Sequence, residues 1–200
     1  MHEVISLLIN RYDFFLQLLW EHIEISLSAS IIAIIIGGLL GVLIHEYKRL
    51  SGPVMLIVNF LYTIPSISML GLLLYASGVG NTTAIIALVI YALLPMVRNT
   101  FTGLDQIKSD MREAGIALGL TRLQRLWNIE IPLAMPTIMA GIRTMLVMTI
   151  ALTGIASFIG AGGLGVAIYR GITTNQSALT IAGSVLIALL AVVVDTLFSL

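Results

Sequence analysis

The residues of this chain best suited to chemistry concentrate in Glu113–Pro132, EAGIALGLTRLQRLWNIEIP, a charged and amphipathic island between segments that are almost pure hydrocarbon. Its fixed points are Glu113, Ala114 and Gly115, then Gly119 after three residues, Ile129 after nine more, and Ile131 and Pro132 after one more. No nucleophile is paired with a base there, so the chemistry is non-covalent: charged and apolar side chains that engage a second surface and pass force along the chain. Elsewhere His2, His22 and His45 are scattered over both sides of the hydrocarbon segments and cysteine is absent. Neither a catalytic constellation nor a thiolate metal site is expected, and no catalytic, metal or cofactor residue is assigned.

The elements that must position this island are membrane helices. Hydrophobic residues make up 58% of the chain, charged residues 10%, and the mean hydropathy is +1.06, which excludes an ordinary soluble domain. Charge-free runs cover Ile25–Ile44, Pro53–Val97, Thr144–Tyr169 and Gly171–Val194, and about 20 apolar residues cross a bilayer. The second run holds two spans, divided by a turn over Ser77–Thr82. Continuous runs such as IIAIIIGG lack the alternation of a transmembrane barrel. The expectation is an all-α integral membrane protein of about five spans, 23–46, 54–76, 82–102, 134–158 and 177–200, with a loop over 105–131. No basic region precedes the first span and no small-residue cleavage site follows it, so it reads as retained.

Lys48 and Arg49 follow the first span, and Lys108, Arg112, Arg122 and Arg125 lie between the third and fourth, whereas Arg11 and Arg170 fall on the opposite side. The positive-inside rule puts the loop in the cytoplasm, the amino terminus outside and the carboxyl terminus inside. The last span has no basic tail, which leaves room for a natural continuation after 200 into a substrate-binding domain. Net charge is zero, and nothing points to nucleic acid.

Between Asp105 and Trp127 the apolar residues Ile107, Met111, Ala114, Leu118, Leu120, Leu123, Leu126 and Trp127 recur at helical spacing, which predicts two short amphipathic helices. Gly119 is placed to end the first in a left-handed conformation and Thr121 to cap the second. Pro132 is expected at the first turn of the fourth span, where a missing amide is harmless. Amphipathicity alone fits a helix pair lying on headgroups, with Arg122 and Arg125 against anionic lipid, as well as it fits a docking loop.

The spacing of the island resembles the EAA signature of type I bacterial ABC-importer permeases, with Gly115 in place of an alanine and Ile131 in place of a leucine. TIPSI at 63–67, LLPMVRNTFTGL at 93–104, EIPLAMPTIMAGIRT at 130–144 and FIGAGGLG at 158–165 resemble the osmoprotectant branch, the permeases for glycine betaine, carnitine, choline and proline betaine. The resemblance implies that Glu113, Ala114, Gly115, Gly119, Leu120, Arg122, Ile131 and Pro132 form a coupling loop seated in a cleft of a partner ATPase. It implies two permease copies, two cytosolic ATPases that bind the ATP and magnesium, and an extracytoplasmic binding protein or fused domain, all at a bacterial cell membrane. Quaternary ammonium groups are recognised by aromatic cages, which this family keeps in the binding protein, and related permeases serve ergothioneine-like betaines.

Within the spans, Tyr62, Thr63, Pro65, Ser66 and Ser68 form a proline-broken polar cluster that either kinks the helix with back-bonded hydroxyls or lines a pathway. Thr149 and Thr153, one turn apart, carry the same two readings. Arg98, Arg143 and Asp195 near the cytoplasmic side are expected to snorkel or to pair. Glu21, His22 and Glu24 read as a solvated interface. Gly37, Gly38 and Gly41 form a small-residue packing face, and Gly160–Gly165 a bend near the outer gate. Five spans enclose little volume, so a path is expected between two copies. The alternative function is an ATP-independent channel or secondary carrier for a small polar solute; paired acidic residues at mid-membrane, which an ion coupler needs, are absent from the sequence.

Overall fold

The computed structural model describes residues 2–198. Helices joined by short turns make up those residues, as the hydrocarbon demands: backbone groups that water cannot reach must be satisfied within the chain. A short α1, His2–Asn10, precedes α2, Tyr12–Glu46. A tight turn over Lys48–Leu50 leads to α3, Ser51–Thr63, and α4, Ser66–Ser77. Then come α5, Asn81–Asp105, the loop helices α6, Ser109–Ala117, and α7, Arg122–Arg125, and the long α8, Ile131–Ala156. A short α9, Gly165–Thr173, and α10, Ser177–Leu197, complete the chain. The last two residues of the expected fifth span lie outside the described residues.

Among the described residues, four stretches are long and apolar enough to cross a membrane, 12–46, 81–105, 122–159 and 177–197. The expected second span, 54–76, is not one helix: Lys48–Thr63 and Ser66–Ser77 meet at a bend of 100°. The cause is local. A residue before proline is pushed out of the helical region, and Ile64 is extended at φ −67° and ψ 126°. Pro65 then has no N–H to return to the preceding turn. The carbonyl of Ile64 is rescued by the hydroxyl of Tyr91 on α5, which donates to it. At 13 and 12 residues, α3 and α4 are each about 20 Å long or less at 1.5 Å per residue, short of the ~30 Å of hydrocarbon.

The core is the contact of α5 with α2 on one side and α8 on the other. Ala33, Ala92 and Met145, all fully buried, meet where the three helices converge. Glycines set the spacing. A Cβ on Gly37 would sit 2.8 Å from that of Met96, one on Gly41 2.5 Å from that of Thr100, and one on Gly141 2.5 Å from that of Asn99. The outward faces, with Ile35 and Leu39 on α2 and Leu189 and Val192 on α10, are exposed and apolar, as lipid contact requires.

The spacing makes a direct prediction. Gly41→Leu should overpack the α2–α5 crossing at a cost of about 2 kcal/mol or more, read as a lower thermal midpoint of the detergent-solubilised protein. Gly71→Ala, where an added Cβ meets nothing within 4 Å, should leave the midpoint unchanged or raise it.

Candidate functional site

The close crossings bring the ends of α2 and α5 and the start of α8 to one level, and the basic loop residues collect there. The loop is built in two rigid pieces. The amide of Gly119 donates to the carbonyl of Ile116 at 2.9 Å and that of Leu120 to Gly115 at 3.1 Å, the paired closing bonds of a left-handed glycine terminus; Gly119 has φ +74°. Thr121 then caps α7 through a reciprocal box, its amide donating to the Gln124 side chain at 2.9 Å and the Gln124 amide to its hydroxyl at 3.4 Å.

The fourth span does not begin afresh at Pro132. A wide π turn over Leu126–Glu130 joins α7 to α8, the amide of Ile131 reaching back to the carbonyl of Leu126. The wider turn loosens the backbone where Pro132 has no hydrogen to offer, so the loop and the membrane helix are one continuous rod.

Of the expected coupling residues, Glu113 and Ala114 are exposed, Gly115 is buried, Leu120 and Ile131 are half-buried, and Gly119, Arg122 and Pro132 are exposed. A Cβ on Gly115 would approach the tip of Ile129 at 2.9 Å and the stem of Arg125 at 3.2 Å, so a small residue is needed where α6 lies on the π turn. Ile116, Leu118, Leu123 and Trp127 are each 60% exposed or more.

The inner surface is held by charge. Glu130, only 2% exposed, accepts from the Arg125 Nε at 2.8 Å and faces the His45 Nε2 at 3.3 Å. Arg122 pairs with Glu46 and also donates to its carbonyl, Lys48 pairs with Asp105, and Arg112 donates to the carbonyl of Leu104 at 2.6 Å. The loop is thereby tied to the ends of α2 and α5. His45 and Glu130 were invisible as a pair in the sequence, although each closes or opens a hydrocarbon run at the same membrane level.

The proposed pathway residues divide. Tyr62 is partly exposed, packs edge-on against Tyr91 at 6.0 Å and points its hydroxyl at the Met148 sulfur at 3.7 Å. Thr63 is back-bonded to Phe60, Pro65 lies at the bend, and Ser66 borders a small recess with Tyr91 and Leu152. Thr149 and Thr153 are 1% and 0% exposed and back-bonded to Met145 and Thr149. The helix satisfies their hydroxyls and packing hides them, which is the back-bonded arrangement.

Arg143 grips Asp195 through two nitrogens at 2.5 and 2.6 Å, and Arg98 donates to Asn59 at 2.7 Å, which ties α5 to α3. The solvated reading fails for His22, while Glu21 is half-buried. His22 is fully buried, with its Nε2 3.0 Å from the Ile150 carbonyl, and its Nδ1 accepts from the Leu164 amide. Glu21 and Asn81 accept from the amides of Gly163 and Gly162. These acceptors hold the glycine-rich bend at the end opposite the loop. Only Glu24 of that trio is exposed.

Comparison with known proteins follows the same outline. The family described as binding-protein-dependent transport system inner membrane component matches residues 29–200. The chain is 45% identical over 181 residues, 90% of its length and 79% of the relative's, to the glycine betaine/carnitine/choline transport system permease protein OpuCD of Bacillus subtilis. It is 42% identical over 200 residues, 98% of its length and 93% of the relative's, to the osmoprotectant import permease protein OsmW of Salmonella typhimurium. Among solved structures, a chain of the MetNI methionine ABC transporter in inward-facing conformations superposes with a TM-score of 0.82 at 22% identity, covering 92% of this chain and 93% of that one, a likeness of fold.

The buried clamp and the exposed pair should respond differently to truncation. Glu130→Ala leaves Arg125 and His45 without their shared carboxylate and should cost about 3–5 kcal/mol. Arg122→Ala removes a partner that is 60% exposed and should cost about 1 kcal/mol or less. Thermal denaturation of the two purified variants checks the ranking.

Proposed function

The chain belongs to the binding-protein-dependent transport system inner membrane component family, and on that premise we propose that it is the permease subunit of an ATP-driven importer for a quaternary-ammonium solute of the betaine type. Glycine betaine, carnitine and choline are the solutes in the names of its relatives, and ergothioneine is a chemically related candidate. The complete importer would hold a second copy of this chain, two cytosolic ATPases that bind ATP and magnesium, and an extracytoplasmic binding protein or fused domain. The chain itself supplies the passage and the coupling, with no reaction of its own.

The observation that carries this reading is that the loop is clamped to the bundle yet leaves apolar side chains uncovered. Ile116, Leu118, Leu123 and Trp127 are exposed, while Glu130 joins Arg125 to His45 and Glu46 holds Arg122. A loop meant only to connect two helices needs neither. A rigid helix pair, continuous with α8 and tied to α2 and α5, converts motion of an ATPase into motion of three membrane helices at once. Alternating access follows if those helices separate and close around a path between the two copies. Tyr62, Thr63, Pro65 and Ser66 are the proposed path residues. The exposed Tyr62 offers an aromatic surface of the kind that attracts a quaternary ammonium group.

Uptake of labelled choline, glycine betaine, carnitine and ergothioneine into proteoliposomes holding the full importer, with and without internal ATP, tests the reading. ATP-dependent accumulation of one of them is expected; flux without ATP contradicts the mechanism, and no accumulation of any contradicts the solute class. Glu113→Lys and Gly119→Pro should each reduce that uptake at least about tenfold while the permease still inserts. Normal uptake by both would remove the loop from the coupling path.

A further inference from the structure

Beneath the loop lies a polar recess of about 380 Å³, walled by the cations Lys48, Arg112, Arg122 and Arg125 and the carboxylates Glu46 and Glu130, with His45 at its base. The carboxylates are already engaged, Glu46 by Arg122 and Glu130 by Arg125 and His45, while Lys48 leans on Asp105. Arg112 has no carboxylate partner among the described residues. One nitrogen donates to the Leu104 carbonyl, and its Nε is buried without a hydrogen-bond partner. His45 is 7% exposed, and its Nδ1 is likewise buried without one. Arg112, Lys48 and His45 line the same recess, so these donors and the open imidazole nitrogen share a neighbourhood. Buried polar atoms left unmatched are costly, and here they border a space large enough for a ligand.

We propose that this recess binds a phosphate anion carrying a hydroxyl group, gripped through its oxygens by Arg112 and Lys48 and through its P–OH by the Nδ1 of His45. The hydroxyl is part of the inference. The Nε2 of His45 faces a carboxylate and therefore carries the proton, which leaves Nδ1 as an acceptor. Phosphate at neutral pH retains a proton to give it, whereas sulfate does not. A cation is the poorer fit. Ligand atoms of His45, Glu46 and Glu130 lie within 4.8 Å of one another, but their carboxylates already face arginines, and a metal ion would add charge of the same sign as Lys48 and Arg112.

Two sources present this chemistry at a cytoplasmic membrane surface, free phosphate and the phosphomonoester headgroup of phosphatidic acid. Either would bridge Arg112 on α6 to Lys48 beyond the end of α2, a tie between loop and membrane helix separate from Glu130. The anion would thus stiffen the element through which an ATPase acts.

The test uses the assembled importer in phosphatidylcholine nanodiscs, its nucleotide sites filled with a non-hydrolysable ATP analogue. Inorganic phosphate is titrated by calorimetry, with sulfate at matched ionic strength alongside. Saturable phosphate binding is expected, about tenfold or more tighter than sulfate, and weakened about tenfold or more by Arg112→Gln. Lys48→Gln provides the second variant should the first fail to assemble. Discs containing phosphatidic acid separate the sources: loss of the phosphate signal there assigns the recess to the headgroup, and its persistence assigns it to free phosphate. Absence of saturable binding, equal affinity for sulfate, or wild-type affinity in both variants overturns the proposal. No transported solute enters the measurement, so these outcomes leave the importer reading untouched.

Discussion

Everything in this subunit depends on how closely α5 can approach α2 and α8. In hydrocarbon there is little hydrophobic drive for helices to associate, because lipid tails are as apolar as leucine, so contact must come from packing and hydrogen bonds. Gly37, Gly41 and Gly141 permit it, since a Cβ at any of them would come within 2.8 Å of a side chain on the facing helix. Once the helices are that close, their ends have little freedom left. Glu46 at the end of α2 then meets Arg122 of the loop, Glu130 just before α8 meets Arg125 and His45, and Asp105 at the end of α5 meets Lys48 beyond the end of α2.

The two ends of this core are fastened by different chemistry. At the loop end the fasteners are ionic, and several are partly exposed. At the other end neutral and acidic acceptors, His22, Asn81 and Glu21, take backbone amides of the glycine-rich bend. Glycines at that bend let α2 and α8 approach the backbone: a Cβ on Gly163 would meet the His22 side chain on α2 at 3.1 Å, and one on Gly165 would overlap the carbonyl of Gly154 on α8. The arrangement is fastened at both ends and smooth along its lipid-facing sides.

Much of this was readable in advance, for identifiable reasons. Long charge-free runs can only be spans, and the loop helices announce themselves by Gly119 between two amphipathic patterns and by Thr121 ahead of Gln124. The resemblance of the island to a known signature drew on Gly119, which the structure holds in a left-handed backbone at φ +74°, whereas Gly115, a departure from that signature, lies against the side chains of Ile129 and Arg125. What could not be read were partnerships across the fold. A histidine beside two glutamates looks solvated until α8 and the glycine bend close over His22. Pro65 announced an interruption, but a kink and a 100° bend share one sequence, and it is Tyr91, 26 residues further along, that satisfies the carbonyl the larger bend exposes. Thr149 and Thr153 looked alike from both sides, because a back-bonded threonine and a pathway threonine have the same spacing.

The buried Glu130 raises the question of why charge is used at all. A buried ion pair often contributes no more stability than well-packed apolar residues of the same size, because desolvation offsets the attraction. The difference lies in what an apolar replacement would leave undefined. Leu126 and Ile129 offer the loop a greasy surface that tolerates small slips, as close packing between flexible side chains does. Glu130 does not tolerate them, since its two oxygens must meet Arg125 from the loop and His45 from α2 at the same time. A slip of one residue along the rod turns the carboxylate away by about 100° and strands three ionisable groups. The clamp therefore fixes the register between loop and bundle more than it adds to their affinity.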